Sequence, residues 1–418
     1  MSAAGGAPAG PGGSTVRVPG PVNAHSHAFH RILRGRTHLG AAGGAGDFWT
    51  WREQMYGAAS HLGPREYGRL ATAVFAEMAV TGWTAVGEFH YVHHRADGTP
   101  YPDHDMERAL ARAAIAAGIR LVLLDTCYLD GGLAADGTVL PLDPVQRRFS
   151  DGSAGAWLAR RRGLAAALAE EDAGRGLVTL GAAIHSVRAV PPAALAEIAA
   201  GLAAEPDAPL HVHLSEQPAE NAACRAAYGM SPTRLLAEHG LLTGRLSAVH
   251  ATHLDDEDIA LLGAAGASIV MCPTTEADLA DGIGPARELA DAGAVIALGT
   301  DQHAVVDPFL EQRALEHGER LRSGIRGRFS PSGLADAARA GGLRSLGLPE
   351  NDDHLLVDAA STRTAGSRPG QLMLSATSAD VARVVVNGTV VAEHGRHTLL
   401  GDPAGLYASF LADHPEFA

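Results

Sequence analysis

Short apolar runs alternate with longer amphipathic segments along most of this 418-residue chain. Eight of the runs are bounded by turn residues and rich in branched side chains, the pattern of parallel strands buried on both faces. They cover residues 21–29, 84–92, 120–129, 177–185, 209–216, 247–254, 268–276 and 295–303. Between them lie segments such as REYGRLATAVFAEMAVTG and AALAEIAAGLAAE, with apolar positions at helical spacing and Gly near their ends. Eight strand–helix units predict an α/β fold of the (β/α)8 TIM-like barrel type. A doubly wound open sheet shares the alternation but not the count. Further on, two Val-rich runs flank Asn387-Gly388, the signature of a tight hairpin. With residues 354–361 they predict a small β appendage contributed by the chain termini. The expected division is a flexible tail with at most one short strand (1–19), the barrel (20–348), and a C-terminal β appendage with a terminal helix (349–418).

Polar side chains recur where the apolar strands run out: His25 and His27, His90, His185, His213, His250 and Asp301. The carboxyl ends of barrel strands are where catalytic groups collect, and a titratable group elsewhere on a buried strand is costly. In an extended segment residues i and i+2 share a side, so His25 and His27 can present nitrogens to one ion. That spacing alone is equally served by two half-exposed loop histidines. The run HVHLSEQ adds His213 and, three residues on, Glu216, a spacing that suits one metal ligand and one proton carrier. His211 shares the face of His213 but lies deeper, as a buried hydrogen-bonded histidine would. His250 ends the sixth strand, and Asp301, a hard oxygen ligand or a base, ends the eighth within GTDQH.

Composition narrows the chemistry. A formal charge of −14 argues against a nucleic-acid partner, because no basic stripe exists to neutralise phosphates. An anionic substrate must therefore be met by arginines placed locally. Cys127, Cys224 and Cys272 are far apart and form no disulfide framework, which suits a reducing compartment. No apolar run approaches the ~18 residues of a membrane span, and the first residues lack the features of a signal peptide. The expected location is the cytoplasm. The expected partner is a small anion, with a homodimer allowed.

The link from the first strand to its helix, Ala28 to Pro64, is far longer than ordinary connections and reads as a functional loop. After the glycines of LGAAGGAGD it carries DFWTWREQMY, in which Trp49, Trp51 and Tyr56 could close over a pocket while Arg52 points inward. The fourth strand ends in IHSVRAV, with His185 and Arg188, and an arginine at a barrel mouth offers a planar fork for a carboxylate. Tyr91, just past the second strand, can donate a hydrogen bond. His38, His93, His94, His104, His239 and His253 read as surface or loop histidines, and His303 as a residue of the mouth after Asp301.

The set His-x-His, His-x-x-Glu, His and Asp at successive strand ends resembles the amidohydrolase superfamily in its deaminase branch. The resemblance implies one divalent metal, usually zinc, held by His25, His27, His213 and Asp301, with His250 beside the bound water. The other zinc deaminase type, with H-x-E and C-x-x-C, is excluded by the cysteine spacing. No carbamylated lysine is apparent where the fourth strand ends, which argues against the two-metal branch. VNAHSHAFHR, DFWTWREQMY, IHSVR, HVHLSEQ and GTD together closely resemble the N-formimino-L-glutamate deiminase family of histidine degradation, from about residue 20 to the C-terminal hairpin. This implies hydrolysis of the formimino group to formyl with release of ammonia. Glu216, His250 and Asp301 would carry the chemistry, and Arg52, Tyr91, His185 and Arg188 would contact the glutamate portion or the reacting group. Where that family often has glutamine after the metal pair, this chain has His30, whose imidazole can hydrogen-bond in its place. Two rival readings keep the scaffold: a deaminase of a cyclic amidine such as guanine or cytosine, and a metal-binding protein without catalysis.

Overall fold

The computed structural model describes residues 15–38, 46 and 48–417. Eight parallel strands pair in chain order: Val22–Ser26, Ala85–His90, Arg120–Cys127, Val178–Ile184, Leu210–Leu214, Leu246–His250, Ser268–Met271 and Val295–Leu298. A parallel bridge between Ser26 and Asp301 joins the last strand's end to the first. A doubly wound sheet would reverse its strand order part-way. Here the order never reverses, and the fold is the barrel.

Small side chains, among them Ala24, Val249, Val270 and Ala297, fill the barrel interior. The outer faces are covered by helices whose apolar stripes face inward. The helix Pro64–Thr81 buries Leu70, Val74, Phe75 and Met78, opens with proline and stops at Gly82. His211 is fully buried, and its Nε2–H donates to the Ser345 carbonyl at 2.9 Å.

A five-stranded antiparallel sheet stands beside the barrel, in the order Thr15–Pro19, His354–Asp358, Val381–Val386, Thr389–Glu393 and Arg396–His397. Asn387 and Gly388 turn the hairpin with φ of 50° and 74°, the left-handed pair that a two-residue turn of this hand requires. Leu355, Val357, Val384 and Val391 pack with Ala79 and Phe309 of the barrel helices. Asp307 fastens this seam. One carboxylate oxygen accepts the amides of Phe309 and Leu310, capping the helix Pro308–Ser323, and the other accepts that of Ser378. Asp307→Ala is expected to lower the unfolding free energy by about 1–2 kcal/mol, read as a lower denaturant midpoint at unchanged slope.

Two expectations change. The strands stop one to five residues short of the apolar runs. The chain leaves the ladder there through left-handed backbone, with φ of 51° at Ser215, 68° at His250, 50° at Ala251, 43° at Asp301 and 62° at His303. Such geometry at non-glycine residues concentrates at functional sites. The link after the first strand is largely helical rather than a loop, containing a 3₁₀ turn at Ala28–Leu33 and a helix at Phe48–His61. Residues 39–45, the side chain of Trp49 and residues 1–14 of the expected tail lie outside the described residues. The three cysteines are buried free thiols. Among the described residues, no helix is long and apolar enough to cross a membrane.

Candidate active site

His25, His27, His213 and Asp301 meet at the carboxyl end of the barrel, each buried. His27 Nδ1–H donates to the Phe89 carbonyl at 2.8 Å, and His213 Nδ1–H to the His185 carbonyl at 2.9 Å. A carbonyl can only accept, so both tautomers are set, and the two Nε2 lone pairs face one another at 3.3 Å. His25 Nε2 is 3.3 Å from His213 Nε2 and 3.3 Å from Asp301 Oδ1, which is itself 3.4 Å from His27 Nε2. Burial, reinforced by neighbouring imidazoles, holds His25, His27 and His213 well below the ordinary histidine value, so they are neutral ligands. Facing lone pairs repel unless something positive lies between them. A tetrahedral site with bonds of ~2.0–2.1 Å has edges of about 3.3–3.4 Å, which is the spacing found. The donor set fits a divalent cation of the zinc type.

The local sequence explains the convergence. Gly299 lets the eighth strand press on the first: a Cβ there would come within 2.9 Å of the His25 carbonyl oxygen and Cβ. Glu88, buried on the second strand, accepts from Ser26 Oγ and the Ala28 amide, both at 2.6 Å, and so holds the segment on either side of His27. Burial pushes its carboxyl up to about 8.

A pocket opens over the cluster. Glu216 lies on its wall, with Oε1 3.7 Å from His250 Nε2 and Oε2 3.8 Å from Arg188. His250 Nδ1 faces Glu276 at 3.4 Å. Burial lowers the His250 value, but Glu216, Glu276 and Asp301 more than offset it and raise the imidazole to about 10. Asp301 is pushed up by burial, against the pull of His250 and His30. His30 Nε2 meets the Tyr91 hydroxyl at 3.0 Å. Tyr91 is driven well above its ordinary value by burial, so it stays a hydrogen-bond donor. Arg52 donates from Nε to the Tyr56 hydroxyl at 2.8 Å, and Arg188 and His185 complete the rim. The eleven candidate ligand, catalytic and substrate-contact residues therefore lie at this one mouth, His25 on the first strand behind the pocket and the other ten on its lining, whereas His90, also a strand-end residue, faces Glu107 instead.

The amidohydrolase family model matches residues 16–355, a span that contains every residue of this site. The chain belongs to the amidohydrolase family. Formimidoylglutamate deiminase of Pseudomonas aeruginosa is 37% identical over 400 residues, covering 91% of this chain and 85% of that one. The 5-methylthioadenosine/S-adenosylhomocysteine deaminase of Nitratidesulfovibrio vulgaris is 28% identical, covering 94% and 83% of the two chains. The crystal structure of an amidohydrolase from Brucella melitensis superposes with a TM-score of 0.85 at 32% identity, over 98% of this chain and 92% of that one. This amidohydrolase contains no lysine, so a carbamylated lysine cannot bridge a second ion at the mouth.

Several readings are corrected. His93 and His94 are buried, not surface residues, and bond to carboxylates behind the second and third strands. His303 is fully buried and contacts Ser26 Oγ and Thr300 Oγ1 instead of lining the mouth. Sequence reasoning missed Tyr128, Phe149 and Met55, which line the pocket, and Glu276 behind His250. Tyr128 directly follows the third strand, so the strand-end rule could have found it. Phe149 and Met55 come from connecting segments that carry no such signal.

Proposed function

We propose that this amidohydrolase hydrolyses N-formimino-L-glutamate to N-formyl-L-glutamate and ammonia, with one zinc ion held by His25, His27, His213 and Asp301. One observation supports the reading above the rest: a four-ligand cation cradle and Glu216 share a pocket with two arginines, Arg52 and Arg188. Two guanidinium groups match the two carboxylates of a glutamate moiety, a charge complement that a neutral nucleobase does not offer. The 37% identity to the formimidoylglutamate deiminase of P. aeruginosa supports the same substrate.

When bound, the ion supplies Lewis acidity that makes water a nucleophile near pH 7. Asp301 and His250 flank the reacting centre, where the Asp301 carboxylate accepts the proton that the attacking water gives up. The water oxygen adds to the formimino carbon. The two protons of the water, the first from Asp301 and the second from the new hydroxyl, pass in turn through Glu216 to the terminal nitrogen; the carbon–nitrogen bond breaks and ammonia leaves, so that H2O is consumed for each NH3 released. Tyr91 and His185 hold the amidine, and the Trp51 side of the pocket keeps bulk water out.

The test is an ammonia-release assay on the zinc-loaded enzyme. Turnover is expected with N-formimino-L-glutamate and not with guanine, cytosine or 5-methylthioadenosine. Turnover of a nucleobase alone overturns the substrate, and zinc binding without ammonia from any of these overturns the enzyme. Arg52→Ala and Arg188→Ala are each expected to raise KM on the order of tenfold to a hundredfold, the loss of one charged hydrogen-bond pair. Unchanged KM in both variants would remove the dicarboxylate argument.

A further inference from the structure

A second histidine–carboxylate cluster lies behind the substrate pocket, where the ends of the second and third strands meet the helices Asp105–Ala117 and Ala154–Asp172. His93 Nε2–H donates to the Thr126 carbonyl at 2.9 Å, which leaves the Nδ1 lone pair facing Glu107 Oε1 at 2.9 Å. Two acceptors at that distance need something positive between them. His90 Nε2 approaches the same oxygen at 3.4 Å, and neither ring nitrogen of His90 has a hydrogen-bond partner among the described residues although the side chain is fully buried. The three ligand atoms lie within 4.8 Å of one another.

The local charge is also unbalanced. Glu107, Asp125 and Asp151 have side chains 2%, 0% and 8% exposed, and among the described residues one guanidinium, that of Arg160, pairs with all three. With neutral histidines this leaves a formal excess of two negative charges in a desolvated place, a costly arrangement unless a cation or bound protons compensate it. A divalent ion supplies that charge in one step. The His93 ring, anchored by a backbone carbonyl on its far nitrogen, has the outer support that imidazole ligands of metals use. A cavity lined in part by His94, Tyr101, His104 and Arg160 opens onto Glu107 and offers an entry path.

We propose that His90 Nε2, His93 Nδ1 and Glu107 Oε1 form a second cation site, for a borderline divalent ion of the zinc type, separate from the site at the barrel mouth. Two imidazoles and one carboxylate suit such an ion, with the remaining positions left to water. Arg160 keeps Asp125 and Asp151, both at 2.8 Å, when Glu107 turns to the ion. The site acts on the pocket through the chain: Tyr91 follows His90, and Tyr128 lies two residues beyond Thr126. The ion would tie together the two strand ends that present these tyrosines to the substrate.

The test is zinc stoichiometry of the full chain, dialysed against excess Zn2+, desalted and measured by mass spectrometry. Two equivalents per chain are expected for the unmodified protein, and one for His93→Ala and for Glu107→Ala. One is also expected for the double variant His25→Ala/His27→Ala, which separates this site from the one at the mouth. Crystals of the unmodified protein grown with Zn2+ give a readout that needs no variant. An anomalous peak between His90, His93 and Glu107 is expected. One equivalent in the unmodified protein, or a second peak elsewhere, overturns the site and leaves the cluster as an ion-pair network.

Discussion

Glu216→Gln is expected to lower kcat for ammonia release by about a hundredfold or more while zinc content stays at the level of the unmodified protein. The substitution keeps the shape and the hydrogen-bonding reach of the side chain but removes its ability to take up and release a proton. Proton transfer by a placed carboxyl typically contributes about 10²–10⁴-fold. Glu216 is placed for this: it is 7% exposed, stands on the pocket wall, and its backbone amide is held by Glu220 at 3.2 Å. KM should change little, because the amide can still contact the amidine. Steady-state ammonia release together with metal analysis checks the claim, and near-normal turnover in a zinc-loaded Glu216→Gln enzyme would sink it.

His27→Ala should have a larger effect, because it dismantles the cradle itself. Three remaining ligands, two of them neutral imidazoles, hold a divalent ion less well, and the lowering of the water pKa toward neutrality that the ion would supply is lost with it. Activity is expected to fall by more than about a thousandfold, with mouth-site zinc content falling in parallel. A stability readout distinguishes ligand loss from simple misfolding. An ion that binds only the folded state raises Tm roughly with the logarithm of its free concentration. Added Zn2+ should therefore raise Tm more in the unmodified chain than in His27→Ala. A variant that keeps the full metal content and full turnover would show that His27 is not a ligand.

Much of this was legible before folding. Strands buried on both faces carry largely apolar runs, so all eight barrel strands could be read, and their order followed because each connection carries at least one helix. The metal residues were legible for a related reason: a histidine or aspartate ending a buried apolar run has no cheap structural explanation. The boundaries were not. At 268–276 and 295–303 the ladder stops at Met271 and Leu298, before the polar residues that end those segments, and whether a residue such as Asp301 pairs or turns at φ 43° depends on Ser26 across the barrel seam. The helix at Phe48–His61 was hidden because its aromatic and polar residues show no clean apolar stripe. Its neighbours in the pocket, not its own periodicity, decide what is buried. His93 and His94 were misjudged for the opposite reason. Histidines in a loop are ordinarily solvated, but Glu107 and Asp151 reach them from the segments packed above and make burial tolerable.

What the chain by itself determined was the set of elements and the chemical kinds of group at their ends, since both follow from short-range patterns of polarity. What only the tertiary structure decided was distance: that imidazole lone pairs from the first and fifth strands stop 3.3 Å apart, and that three carboxylates share one guanidinium behind the pocket. Such spacings arise from barrel closure and helix packing, where residues hundreds of positions apart set one another's place. No local pattern encodes that sum.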